Sequence, residues 1–365
     1  MTGRRYLTNW TVVVPLVALV ALVLSWNRTL PGWAVGLVGI CLAGAVLAAV
    51  HHAEVVAARV GEPFGSLVLA VAVTFIEVAL IVTLMVSGTP EKTATLARDT
   101  VFAAVMITCN GIVGLCLLLG ALRRRIAVFN PEGSGGALAT VATLATLSLV
   151  FPTFTTSEPG PEFSAAQLAF AAVASLALYC LFVAVQTVRH RDYFLPITTS
   201  GRVVDAEEHA DPPSTRAALG SLALLVVALV AVVGDAKSVS PTIERGVAAA
   251  GFPPTVVGVI IALLVLLPET LAATRAAARD RVQTSLNLAY GSSMASIGLT
   301  IPAIAVASIW LDGPLALGLG ATQLVLLALT VVVSILTVVP GRATPLQGGV
   351  HLSLLAAFVF LAVRP

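Results

Sequence analysis

Charge is scarce in this chain. Asp, Glu, Lys and Arg make up 10% of its 365 residues, where a soluble domain carries roughly 25%. So few charges cannot cover a water-facing surface of this size, which excludes a soluble globular protein. The net charge is +2, which removes a polyanion-binding reading. Aromatic residues are also few, at 6%, and the bulk is Ala, Val and Leu. The apolar–polar alternation of a membrane β-barrel strand is missing. The apolar runs instead reach about 18 residues or more, the length at which a helix crosses the hydrocarbon core. Cysteine is limited to Cys41, Cys109, Cys116 and Cys180, all inside apolar runs and none in a CxxC pair. That argues against a disulfide framework or a zinc site and predicts apolar packing for all four.

What the chain does have is hydrophobicity, 58% by residue type with a mean hydropathy of +1.01. Eleven apolar segments can be marked, at 11–27, 33–57, 64–87, 97–121, 137–152, 163–188, 217–235, 252–275, 283–310, 314–339 and 349–363. They predict an all-α polytopic membrane protein of about 11 transmembrane helices. The first run follows Arg4 and Arg5 as in a signal peptide. It ends at Asn27-Arg28 with no small-x-small cleavage site, so a retained helix is expected. With the N-terminus cytoplasmic, fourteen of the Lys and Arg residues fall inside and six outside, as the positive-inside rule requires. The expected location is a bacterial inner membrane.

The two halves resemble each other. Glu54 and, 23 residues later, Glu77 in the first half match Glu244 and, 25 residues later, Glu269 in the second. The organisation read from this is an extra first helix (1–30), a repeat of five helices (31–188), a cytoplasmic linker (189–216) and a second repeat of five (217–365). An odd number of spans inverts the second copy, an architecture that places a substrate site at the midplane between the copies. The linker carries His190, His209 and several acidic residues. It reads as a solvated connection, with an ion- or pH-sensing role as the minority reading.

Glu77 and Glu269 are each the one ionisable residue deep in an apolar segment. A charge there costs at least ~2.5 kcal/mol at a helix centre, which a bound cation or a bound proton offsets. Two carboxylates brought together do not both stay ionised cheaply, whereas a divalent cation between them favours the doubly ionised state. Cation and protons then compete for the same oxygens, as an exchanger needs. Hard oxygen ligands suit Ca²⁺. Thr74 lies one turn before Glu77 on the same face. Pro268, beside Glu269, has no N–H and frees the carbonyl of Leu264. Asn110, Asn287, Ser292 and Ser293 stand at similar depth and are candidate ligands or lining residues. Glu54 and Glu244 lie near the inner and outer helix ends, where each could draw in cations or relay protons. No resident cofactor is expected, only transported Ca²⁺, or Na⁺ or K⁺, and H⁺. The remaining partners are the lipid bilayer and no nucleic acid.

An intramembrane enzyme is the reading from another class. There is no HExxH, the aspartates (Asp99, Asp192, Asp205, Asp211, Asp235, Asp280, Asp312) are read as lying in loops or at helix ends, and His351 sits at a helix start. His51 and His52 are read as interfacial. The sequence therefore points away from an enzyme. It also shows no pore-loop signature for a channel.

Several stretches carry a resemblance to a known family. They are Gly61 to Gly65 leading to Glu77, Asp99 to Gly114, Pro241 to Glu244, Leu267-Pro268-Glu269, and Gly291 to Pro302. Together they resemble the calcium/cation antiporter superfamily, in its calcium/proton exchanger branch, and most of all bacterial calcium–proton antiporters of the ChaA type. The resemblance implies eleven helices with the first outside an inverted five-plus-five pair. It implies that Glu77 and Glu269 are the central cation- and proton-binding residues and that Glu54 and Glu244 line the access funnels. Two departures are visible. Thr74-Phe75-Ile76-Glu77 and Leu267-Pro268-Glu269 replace the Gly-Asn-Ala-x-Glu run of eukaryotic-type exchangers, and Ala295 stands where the family often has Gln. These keep Na⁺/H⁺ or K⁺/H⁺ exchange at the same site as the alternative.

Overall fold

A computed structural model describes residues 3–26, 28, 30–61, 64–87, 93–197, 213–310 and 313–365. The acidic part of the linker, Asp205 to Asp211, lies outside the described residues, and so does the sensing role read for it.

Long apolar runs without water can satisfy their backbone groups only within each segment, so they become helices. In chain order these are α1 (Gly3–Ser25), α2 (Gly32–Val60), α3 (Phe64–Ser87), α4 (Leu96–Arg124), α5 (Pro131–Phe154), α6 (Ala165–Arg189), α7 (Thr215–Ala249), α8, α9 (Val282–Ala307), α10 (Ala321–Val338) and α11 (Pro345–Val363). Helix α8 is broken into Thr255–Val265 and Leu267–Ala278, with a bend of 52° between the pieces. The eleven helices fall where the apolar segments predict them.

One boundary differs in kind. The seventh apolar run was expected to end at 235, but α7 continues to Ala249 through Lys237, Pro241 and Glu244. Apolarity marks where a helix meets lipid, not where it stops. Asp235 is therefore interior to a helix and fully buried, not in a loop or at a helix end.

The packing reports the inverted repeat directly. Helix α2 lies along α7, its own mate. α3 packs on α9, and their mates α8 and α4 pack on each other. α6 packs on α9 as α11 packs on α4. Helix α1 has no mate and rests on both α2 and α7. The loops obey the same relation. β1 (Ala127–Val128), between α4 and α5, pairs antiparallel with β2 (Arg342–Ala343), between α10 and α11. At the opposite face Glu162, between α5 and α6, pairs with Ala316, between α9 and α10.

Helices α4 and α9 are the most buried spans. Small residues let their neighbours approach. A Cβ on Gly114 of α4 would lie 2.9 Å from His351 of α11, and one on Gly298 of α9 would lie 2.7 Å from Tyr179 of α6. The outward surface is apolar, with Val23, Ile40, Val173, Leu219 and Leu336 all exposed, as expected where lipid is the solvent. Trp26, Trp33 and Trp310 cluster at the ends of α1, α2 and α9 away from the linker, the position of an interfacial aromatic belt. All four cysteines are free. Cys109 and Cys116 are buried as expected, Cys41 is half-buried, and Cys180 is exposed on α6.

Candidate ion-exchange site

Helix α3 is continuous through Glu77, whereas α8 breaks just before Glu269. Pro268 has no N–H with which to bond the carbonyl of Leu264, and the backbone turns at Leu266 (φ −83°, ψ −1°). A second half-helix starts at Leu267, which places Glu269 in its first turn. There the unpaired N–H groups and the helix dipole favour negative charge.

The two carboxylates share one cavity of about 230 Å³. Its walls include Val73, Thr74 and Glu77 from α3, Tyr179, Phe182, Val183 and Gln186 from α6, Glu269 from α8, and Thr284, Asn287, Leu288, Gly291, Ser292, Ala295 and Ser296 from α9. Glu77 is 2% exposed, and its Oε2 accepts a 2.7 Å hydrogen bond from the Ser296 hydroxyl. Among the described residues, Glu77 Oε1 and Glu269 Oε2 are buried with no hydrogen-bond partner. An unsatisfied buried polar oxygen is costly, so this pair is built to meet a cation, a proton or water.

The cavity lies on one side of the carboxylates. Gln186 is at the end of α6 and Thr284 is in the first turn of α9, so its walls run to the face that bears the linker. On the other side the structure holds two smaller cavities. Glu244, whose Oε1 accepts from Ser240 at 2.9 Å, lines a separate pocket of about 170 Å³ with Thr93, Leu96 and Phe252. A further, smaller cavity of about 40 Å³ is lined mainly by apolar side chains, among them Leu80, Leu84, Val239 and Ile261.

The sequence candidates divide as follows. Thr74, Asn287 and Ser292 line the cavity with Glu77 and Glu269. Pro268 is buried at the break. Asn287 is partly committed, donating to the Phe194 carbonyl (2.6 Å) and accepting from Gln283 (2.8 Å). Ser293 is fully buried off the cavity wall, towards Cys109 of α4. Asn110 is not brought to the site. Its amide donates to Thr330 of α10 at 2.9 Å and its carbonyl lies 3.1 Å from His351 Nδ1 of α11. His351 is therefore buried inside a span, with Nε2 3.1 Å from Thr337, and not a residue at a helix end. His52 is likewise buried, with Nε2 2.9 Å from the Thr11 carbonyl of α1. Glu54 is exposed near the linker-side end of α2, in the electrostatic neighbourhood of Arg275 and Glu269.

Sequence reasoning missed Ser296, Thr284 and Gln186. For Ser296 the signal was present, because it follows Ser292 by four residues and so shares its helix face. Asp235 was misplaced because the apolar run ends there.

Comparison with known proteins agrees with this architecture. Residues 30–188 and 220–364 match the family described as sodium/calcium exchanger protein. The y4hA protein of Sinorhizobium fredii, named for ionic transport, is 47% identical, over 98% of this chain and 96% of its own. The sodium-potassium/proton antiporter ChaA of Escherichia coli is 33% identical, over 96% of this chain and 94% of its own. Among solved structures, the H⁺/Ca²⁺ exchanger CAX superposes with a TM-score of 0.70 at 14% identity, covering 98% of this chain and 89% of that one. Native YfkE gives 0.69 at 16% identity, covering 98% and 99%. These two likenesses are of fold. On the family match and the relatives that span it, the chain belongs to the sodium/calcium exchanger protein family.

Proposed function

We propose that this protein is a proton-coupled cation antiporter of the bacterial inner membrane, with Ca²⁺ as the cation its carboxylate pair fits best. The observation that carries the reading is the shared cavity, in which the buried Glu77 and the half-buried Glu269, from inverted repeats, each keep one buried oxygen unpartnered among the described residues. Two carboxylates offer up to four hard oxygens, and the hydroxyls of Thr74, Ser292 and Ser296 line the same space. That donor set suits a cation that takes roughly six to eight flexible oxygen ligands. Protons arriving at Glu77 and Glu269 remove the charge that holds the cation, and the cation displaces the protons. Occupancy is then mutually exclusive, and exchange follows once the site faces each side in turn.

In this arrangement the site faces the linker. With the N-terminus cytoplasmic, as the Lys and Arg distribution favours, that face is the cytoplasm and the apolar layer around Leu80 and Leu84 is the closed outer gate. Glu54 and Glu244 would concentrate cations at the two mouths. The repeats would comprise 31–188 and 217–365, joined by the linker at 189–216.

Exchange of Na⁺ or K⁺ for protons at the same site is the second reading. Ala295 offers no amide oxygen in the cavity, and the relative from Escherichia coli is a sodium-potassium/proton antiporter. Everted membrane vesicles with an imposed proton gradient, followed with a pH-sensitive dye, separate the two. Gradient collapse on adding Ca²⁺, lost in Glu77→Gln and in Glu269→Gln, is the expected result. Collapse with Na⁺ or K⁺ but not Ca²⁺ transfers the site to the second reading. Glutamine variants that behave as wild type overturn both.

A further inference from the structure

Asp235 is a carboxyl group that the exchange site does not use. It lies well inside the 35-residue helix α7 and is 0% exposed. Neither of its oxygens has a hydrogen-bond partner among the described residues. Three helices enclose it. Leu22 of α1 presses on the adjacent Gly234, where a Cβ would lie 2.3 Å from the Leu22 side chain. Cys41 of α2 is its electrostatic neighbour. One turn further along α7, Ser238 Oγ lies 3.2 Å from Ser25 Oγ of α1 and donates to the Gly234 carbonyl, which fastens α1 over the carboxyl.

Among the described residues no charge compensates it. Helix α1 carries no ionisable side chain between Trp10 and Ser25. On α2 the thiol of Cys41 faces it, while His51, His52, Glu54 and Arg59 lie towards the linker end. On α3 the titratable group is Glu77, which bonds Ser296 and lines the inner cavity. The first half of α8 has no ionisable residue. Lys237, two residues along α7, sits over the Trp26 ring at 5.4 Å. Asp235 also breaks the pseudo-symmetry. The spacing that pairs Glu54 with Glu244 pairs Asp235 with Ala45, an apolar residue of α2.

We propose that Asp235 is a third proton-binding carboxyl of the transport cycle. An unpaired carboxylate in such surroundings is prohibitively costly, so the packed interface holds the neutral acid. When the helices that open and close the site shift relative to each other, water reaches the interface between α1, α2 and α7 and the proton leaves to it. The proton is released to the side from which the cation is loaded, and one from the opposite side replaces it before α1 and α2 pack down again. Each cycle thereby carries one proton that the cation itself does not displace. This inference rests on the antiport reading.

The test is the proton-to-cation ratio of the full chain in liposomes, read from the membrane potential at which net flux vanishes. Asp235→Asn is expected to keep cation flux but lower the ratio by one proton per cation, and Asp235→Glu to restore it. An unchanged ratio in Asp235→Asn overturns the proposal. A second measurement needs neither the variant nor transport. Infrared spectra of the wild type with isotope-labelled aspartate are expected to show a protonated aspartic carbonyl band at neutral pH. The other described aspartates are ion-paired or stand at the surface, so absence of that band overturns the proposal even where the antiport reading survives.

Discussion

At the scale of the residue, the proposed function rests on oxygens that have no hydrogen-bond partner among the described residues. Glu77 is fixed on one side by Ser296 and left open on the other. A hydrogen bond to a charged group contributes roughly 1.5–3 kcal/mol. Ser296→Ala is therefore expected to weaken apparent cation affinity by roughly ten- to a hundredfold, without abolishing exchange, in concentration-dependent flux measurements. Equal affinity in the variant would remove Ser296 from the site. Glu77 and Glu269 were legible in the sequence because a lone carboxyl in an apolar run is a chemical anomaly. Asn110 was equally anomalous and misled, because its partners come from α10 and α11, more than 200 residues away. Sequence shows that a buried amide needs a partner, but not whether that partner is a ligand or His351. Asp235 was hidden for the opposite reason, since it follows Gly234 at the edge of an apolar run and resembles the start of a loop.

At the scale of the element, the two central helices are mates by position but not by conformation. α3 runs unbroken, whereas α8 breaks at Leu266 and bends by 52°. Pro268 is the identifiable cause. Its effect on hydrogen bonding was legible, but the bend and the resulting half-helix N-terminus at Glu269 were not, since these depend on packing against α4 and α9. Proline is tolerated in the first turn of the second half-helix, whereas in a continuous helix it would cost ~3 kcal/mol or more, a bar to continuity that Pro268→Ala removes. That variant is expected to fold with an equal or higher Tm in detergent while its exchange rate falls at least tenfold, because Glu269 leaves the half-helix terminus. Wild-type exchange in a well-folded Pro268→Ala protein would show that the break serves packing alone. The length of α7 was underestimated for a related reason. Polar residues from Lys237 to Arg245 end the apolar run, yet the helix persists through them, with Lys237, Glu244 and Arg245 exposed and Lys237 over the Trp26 ring.

At the scale of the whole molecule, the inverted repeat was visible as matched spacing between four glutamates. The structure gives it physical content in the paired contacts of α3 with α9 and α8 with α4, and in the two loop pairings at opposite faces. The direction in which the cavity faces was not legible, because it is a property of one conformation and the same residues serve both. Labelling can read it. In a background lacking the four native cysteines, Ser292→Cys is expected to react with a membrane-impermeant thiol reagent from the linker face in everted vesicles, and to be protected when cation saturates the site. Labelling from the opposite face alone would reverse the assigned orientation.

The central claim is that cation and protons compete for Glu77 and Glu269. The most direct measurement is proton release from purified, weakly buffered protein on addition of Ca²⁺, with Na⁺ and K⁺ in parallel, over a range of pH. Lowering the pH protonates the carboxyls, so apparent cation affinity is expected to fall as pH falls. Binding should release protons from wild type and none from the double variant of Glu77→Gln with Glu269→Gln. Cation binding that releases no protons and keeps one affinity at every pH would contradict the shared-site account.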